Sequence, residues 1–293
     1  MLCDTLIAST SLRIGYGRDY IDFQRKLVHA QKFVLGPDYA AAADGLVDNF
    51  PELEKIAPFI RIPFPLTWIE FAHGDRPQFI TAPMSIPQIQ GLPSRVGFLC
   101  EAKDPQHLGR FQATLHWTMR GPVYDFPPES SSMLAIDFDT EEPRPNLENY
   151  IETNVASYGI NLALAIVNSG NTEAHNKISR QDWAGEIRYL MAVLGLFNAR
   201  NVTETESVNL VKKNKIRLKK KELPLCEHTI LKIRARHRPS LLGKPGAGTA
   251  QDVRSHFVMG HWKQRTSGLF WWNPHRRGSR TRGEVTHTYE LTE

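Results

Sequence analysis

The residues best suited to chemistry lie close together, in Arg254-Ser-His256-Phe-Val-Met-Gly-His261-Trp-Lys-Gln-Arg265, the turn Thr266-Ser-Gly268, and Leu269-Phe-Trp-Trp-Asn-Pro-His275-Arg-Arg-Gly278. Arg254, Lys263, Arg265, Arg276 and Arg277 offer cations for phosphates. Trp271 offers an aromatic plate for a base, and Asn273 an amide for base edges or ribose. Side chains of these types are what single-stranded nucleic acid requires of a protein surface. His261 and His275, with Lys263 or Arg276, would also supply a general base, a general acid and stabilisation of a pentavalent phosphate. Metal-independent RNA cleavage through the 2′-hydroxyl needs that set. His256 and His261 fall on opposite faces of a strand, and no Asp, Glu or Cys stands near them in sequence, so the spacing argues against a metal centre.

A β-hairpin is the element that would gather these groups. With alternating faces and a turn at Thr266-Ser-Gly268, Met259, His261, Lys263 and Arg265 are expected to share a side with Trp271, Asn273 and His275. Val258, Trp262, Phe270 and Trp272 would then form an apolar side that packs on the rest of the chain. A second cationic cluster precedes the hairpin in Lys212-Lys213-Asn-Lys-Ile-Arg-Leu-Lys219-Lys220-Lys221, which reads as a solvated linker or strand end and joins the candidate phosphate contacts. Leu223–Arg236 alternates like a strand, and residues 238–252, rich in Gly and Pro, read as a loop without a Walker pattern.

These clusters sit in a chain whose charge is divided. Residues 1–200 carry 17 Lys+Arg against 23 Asp+Glu, and residues 201–293 carry 19 against 8. The formal net charge of +5 therefore hides an acidic body, 1–203, and a basic module, 204–293. Such asymmetry points to a polyanionic partner. Apolar periodicity in Leu147, Ile151, Val155, Tyr158 and Leu162, and again in Trp183, Ile187, Leu190, Leu194 and Phe197, predicts two amphipathic helices joined near Gly170. Leu66–Phe71, Val96–Glu101, Phe111–Met119 and Met133–Phe138 predict strands of one antiparallel sheet. Asp19–Phe33 and Asp38–Ile60 read as helical in parts. The fold class expected is α+β: an antiparallel sheet with a helical pair, plus a basic β-rich C-terminal module.

Other chemistries find little support. No Gly-x-Ser-x-Gly, His-Glu-x-x-His or Rossmann fingerprint is present, and no cofactor is expected. Asp137 and Asp139, with Glu141 and Glu142, are of a type that can hold a divalent ion, but carboxylates at a strand end more often mark an exposed turn, and these read as one. Cys3, Cys100 and Cys226 are odd in number and far apart, which supports neither a disulfide framework nor a paired zinc site and suits a reducing compartment. Asp4 stands where a signal peptide would carry positive charge, and the longest apolar stretches, Ile160–Val167 and Tyr189–Phe197, are too short to span a bilayer. A cytoplasmic protein without a membrane partner is expected.

Several motifs carry a resemblance. Leu225-Cys-Glu-His228-Thr-Ile-Leu-Lys-Ile-Arg234, His256-Phe-Val-Met-Gly-His261-Trp-Lys, Gly268-Leu-Phe-Trp-Trp-Asn-Pro-His275-Arg-Arg-Gly278 and a closing Gly283-Glu-Val with Tyr289-Glu-Leu resemble the C-terminal signature of a family of uncharacterised bacteriophage and prophage proteins. Pro63-Phe-Pro-Leu-Thr-Trp68-Ile-Glu70-Phe and Arg95-Val-Gly-Phe98 resemble the same family. The chain departs from it at Met259, where that family commonly has arginine; Arg265 and Arg276 are the nearby cations that could compensate. The resemblance implies a phage or prophage setting in a bacterial host and assigns no activity. Three functions are thus expected, in order: a nucleic-acid-associated protein with RNA ahead of DNA, a phage factor that binds a host protein through its acidic surface, and a metal-independent endoribonuclease built on His261 and His275. Oligomeric state is not legible.

Overall fold

The computed structural model describes residues 1–8, 21–47, 53, 55–76, 95–118, 131–139, 155–158, 172–234, 254–258, 261–272, 275–277 and 279–284, with 117–118, 131–139, 155–158, 172–184, 254–258, 275–277 and 279–284 described as backbone. The fold is α+β. Its centre is an eight-stranded mixed sheet in the order β6-β5-β4-β3-β2-β1-β8-β7. The strands are β1 (Gln31–Leu35), β2 (Leu66–Ala72), β3 (Arg95–Ala102), β4 (Arg110–Thr118), β5 (Ser131–Asp139), β6 (Val155–Tyr158), β7 (Thr203–Ser207) and β8 (Thr229–Ile233). Pairing from β2 through β6 is antiparallel, as is β7 with β8, whereas β1 runs parallel to both β2 and β8.

Alternation along the central strands divides the apolar residues between two faces. Ile69 and Phe71 of β2, Val96 and Phe98 of β3, and Phe111 and Leu115 of β4 enter the larger core with α3 (Pro37–Val47) and α4 (Thr172–Asn198). Trp68 and Leu99 enter a second core, with Leu2, Cys3 and Leu6 of α1 (Leu2–Ala8) and with Phe23 and Leu27 of α2, residues 21–29. The Trp68 indole lies against Gly97; a Cβ there would come within 2.1 Å of Trp68 Cζ2, so only glycine fits. Helix α1 is fixed by the buried Glu70 carboxylate, which accepts the N–H groups of Leu2 at 2.7 Å and Cys3 at 3.1 Å, Trp68 Nε1–H at 3.1 Å and Arg95 Nε–H at 2.5 Å.

Across the larger core, α3 and α4 are joined by polar groups as well as apolar ones. Arg76 donates to Asp44 of α3 at 3.1 Å and to Glu186 of α4 at 2.6 Å, and its guanidinium carbon lies 4.0 Å from the centre of the Tyr189 ring. Burial raises the Glu186 carboxyl above its ordinary value, and Arg76 opposes that rise. Tyr39 Oη donates to the Val193 carbonyl at 2.9 Å.

The predicted strands correspond to β2, β3, β4 and β5, and the second predicted helix to α4. Three expectations are corrected. The sheet is mixed, because Gln31–Leu35, absorbed by the helical reading of Asp19–Phe33, forms β1; Lys32 turns back to donate to the Val28 and Ala30 carbonyls at 3.0 and 2.8 Å and so closes α2. The first predicted helix, across 147–162, contains β6 at Val155–Tyr158, where pairing with β5 overrides the 3.6-residue period. The lysine-rich run is neither linker nor strand end but a helix, α5 (Val211–Lys219). The charge boundary at 203/204 falls at the start of β7, and β8 beyond it pairs with β1 in the main sheet. The loop read at 238–252, Asn273, and Glu141 and Glu142 lie outside the described residues.

Candidate nucleic-acid interface

Strands β10 (His261–Arg265) and β11 (Gly268–Trp272) form the expected hairpin. The loop is one residue shorter than expected: Arg265 pairs with Gly268, which leaves Thr266 and Ser267 as a two-residue turn, and Gly268 takes φ +125°, a conformation open to glycine. A one-residue change in register exchanges the faces of the second strand. His261 therefore stands opposite Trp272, Trp262 opposite Trp271 and Lys263 opposite Phe270. The expected placement of Trp271 on the cationic side, and of Phe270 and Trp272 on the apolar side, is overturned.

The inward face is a docking surface for the body. Trp262 and Leu269 are buried in the larger core, and Trp271 packs against it with its ring edge-on to Trp262, the centroids 4.9 Å apart. Asn201, just beyond α4, holds the β11 backbone reciprocally: its Nδ2 donates to the Trp271 carbonyl at 2.9 Å and its Oδ1 accepts the Trp271 N–H at 3.1 Å. The Arg200 N–H adds a bond to the Leu269 carbonyl at 3.1 Å.

This docking turns the other face outward. Trp272 is 39% exposed; Lys263 Nζ lies 4.7 Å from its ring centre, Arg265 Cζ lies 5.8 Å from it, and the His261 ring is tilted beside it at 6.1 Å. Arg265 also lies over Phe270 at 5.5 Å. Neither Lys263 nor Arg265 forms an ion pair with a described residue, so both charges rest against aromatic rings and remain available to an anion. Trp272 and Phe270 are the residues that sequence reasoning missed. Their signal was the turn: two residues, Thr266-Ser267, followed by a glycine suited to positive φ.

Helix α5 provides a second cationic surface. None of its residues is buried, and Lys212, Lys213 and Lys219 are exposed along it. Beyond it, Lys220 caps the helix and Lys221 takes φ 58°. The Lys221 N–H donates to the Leu218 carbonyl at 3.0 Å and the Glu222 N–H to the Arg217 carbonyl at 3.0 Å, the pair of bonds that ends a helix in a Schellman motif. Glycine is the usual residue at this left-handed position; a lysine there costs roughly 1 kcal/mol. None of the α5 or cap lysines forms an ion pair with a described residue, whereas Arg217 is engaged by Glu222 at 3.0 Å. Val211, Ile216, Leu218 and Leu223 are exposed beside these charges.

The remaining candidates are placed by backbone alone. Strand β12 (His275–Arg277) pairs with β9 (Arg254–Val258), setting His275 opposite Val258, Arg276 opposite Phe257 and Arg277 opposite His256. Strand β13 (Ser279–Glu284) pairs with β9 on its other edge, with Ser279 opposite Arg254. His261 and His275 thus belong to different sheets, of two and three strands. Among the described residues no group of three or more His, Cys, Asp or Glu is gathered as metal ligands, and no helix is long and apolar enough to cross a membrane. No protein-family model, curated protein or solved structure matches the chain.

Proposed function

We propose that this chain is a nucleic-acid-associated protein that binds single-stranded RNA ahead of duplex DNA. The observation that carries the reading is the outward face of the β10–β11 hairpin, where a half-exposed indole, Trp272, is flanked by Lys263 and Arg265. An indole flanked by unneutralised cations offers a base a stacking surface and its phosphates a counter-charge in one step. Stacking of this kind takes unpaired bases, which places single strands before a duplex. The lysines of α5 extend the phosphate contact, and Lys221 keeps its charge at a position where glycine would be more stable. The resemblance of the C-terminal motifs to phage proteins fits a role in the cytoplasm of a bacterial host.

A second reading has its own observation. Val211, Ile216, Leu218 and Leu223 are exposed around α5, and phosphates make no use of them. An acidic host protein with an apolar patch would match both the charge and the apolar groups of this helix. Binding of labelled RNA to the full chain across a salt series separates the two, because phosphate contact releases counterions and weakens steeply with salt. Intact RNA on a denaturing gel after binding favours a binder, and cleavage lost on His261→Ala would favour the nuclease.

A further inference from the structure

The three cysteines, uninformative in sequence, are sorted by the fold. Cys100 of β3 is buried in the larger core, while Cys3 of α1 and Cys226 meet on the other side of the sheet with their sulfurs 3.4 Å apart. Cys3 is buried and Cys226 half-buried, so Cys226 is the more exposed of the two. Both are held by neighbours that do not depend on the thiols. The Cys3 N–H donates to Glu70, and the Cys226 N–H donates to Asp4 of α1 at 2.7 Å. The preceding Leu225 is bracketed by Asn214 of α5, which accepts its N–H at 2.8 Å and donates to its carbonyl at 3.0 Å.

We propose that Cys3 and Cys226 are a reversible redox pair that closes to a disulfide when a hydroperoxide oxidises the protein. A disulfide needs its sulfurs about 2.0 Å apart, so the pair has to close by about 1.4 Å from the observed contact. The Cys3 thiol donates toward Cys226, and that hydrogen bond holds the Cys226 thiol below its ordinary value against the opposing effect of burial. The Lys32 ammonium favours the thiolate at both cysteines, while the Asp4 carboxylate opposes it at Cys226 and Glu70 opposes it at Cys3.

In the first step the Cys226 thiolate attacks a peroxide oxygen; the O–O bond breaks, leaving a sulfenic acid on Cys226 and a hydroxide that takes up a proton to become water. In the second step the Cys3 sulfur attacks the sulfenic sulfur, the S–O bond breaks, and the leaving oxygen departs as water with the Cys3 proton. Two thiols lose two electrons and two protons, and hydrogen peroxide becomes two waters. A dithiol reverses the reaction by exchange. The closed bond would join α1 to the segment that Asn214 ties to α5, so the redox state reaches the anchoring of the basic helix.

The test treats the full chain with one equivalent of hydrogen peroxide, blocks free thiols, and maps peptides by mass spectrometry without reduction. The expected product is a chain lighter by two hydrogens, with a Cys3–Cys226 peptide pair, a freely alkylated Cys100 after denaturation, and full reversal by dithiothreitol. In Cys3→Ser the expected product is a Cys226 sulfenic acid that persists. Pairing through Cys100, links between chains, or a wild-type Cys226 that stays sulfenic or unreacted would overturn the proposal. The wild-type mapping needs no variant to fold.

Discussion

Substituting each of the two adjacent tryptophans of β11 by alanine should have opposite consequences. Trp271 is partly buried, packs edge-on against Trp262 and lies on the face that docks to the body. Full truncation of a buried tryptophan costs about 3–5 kcal/mol, and the partial burial of Trp271 brings the expected loss of stability to about 2 kcal/mol. Trp272 is 39% exposed and loses its contacts with Lys263 and Arg265, so its truncation should cost about 1 kcal/mol or less. In binding the order reverses. Loss of a base stack on Trp272 should weaken single-stranded RNA by about 1–3 kcal/mol, roughly 5- to 150-fold. Urea denaturation followed by circular dichroism gives the first quantity, and fluorescence anisotropy on a labelled oligonucleotide the second. A Trp272→Ala protein that binds as tightly as wild type would refute the stacking assignment. A folded Trp271→Ala protein that loses more affinity than Trp272→Ala would refute the register argument.

Three further outcomes follow from buried groups and backbone strain. His116 is fully buried, stacked on Phe23 at 4.1 Å, and burial holds its imidazole down at about 3; the unfolded chain takes up the proton near pH 6.5 while the folded chain does not, so stability should be lost as pH falls below about 6.5, by about 2 kcal/mol between pH 7 and pH 5, and His116→Phe should flatten that slope in denaturation at several pH values. Arg76→Met should destabilise by about 3–5 kcal/mol at pH 7 by removing the guanidinium that bonds Glu186 and Asp44; since the Glu186 carboxyl is already raised, its protonation should shrink the gap to wild type as pH falls in the same assay. Lys221→Gly should raise stability by about 1 kcal/mol while lowering the salt slope for single-stranded RNA by about 0.7.

Much of the sheet was legible because β2 and β3 are buried on both faces and read as dense apolar runs, while β4 alternates between buried Phe111, Ala113 and Leu115 and more exposed Gln112 and Thr114. β1 was not, since its five residues follow directly on a helix and Lys32 within it looks solvated; only the helix end reveals why a buried lysine is satisfied there. Val155–Tyr158 misled because its apolar residues fit a helical period, and pairing with β5 decides otherwise. The hairpin and its cations were legible from Lys263, Arg265 and the glycine of the turn. Which tryptophan faces outward was not, because faces depend on the length of a loop, and a two-residue turn reverses the assignment made for three. Asn201, which fixes the hairpin to the body, leaves no local sequence signal, since its partner lies 70 residues away. The same holds for Cys3 and Cys226, which only the packing of α1 against the segment before β8 brings together.

The most direct test measures the salt dependence of single-stranded RNA binding by the full chain and by two charge variants, Lys263→Ala with Arg265→Ala, and Lys212→Ala with Lys213→Ala. Phosphate contact through both surfaces predicts a steep fall in affinity with salt and a slope that drops by about 0.7 for each contacting cation removed, so by about 1.4 in each variant. Weak, salt-independent binding, or a slope unchanged in both variants, would contradict the nucleic-acid reading and leave the exposed charge and apolar groups of α5 to a protein partner.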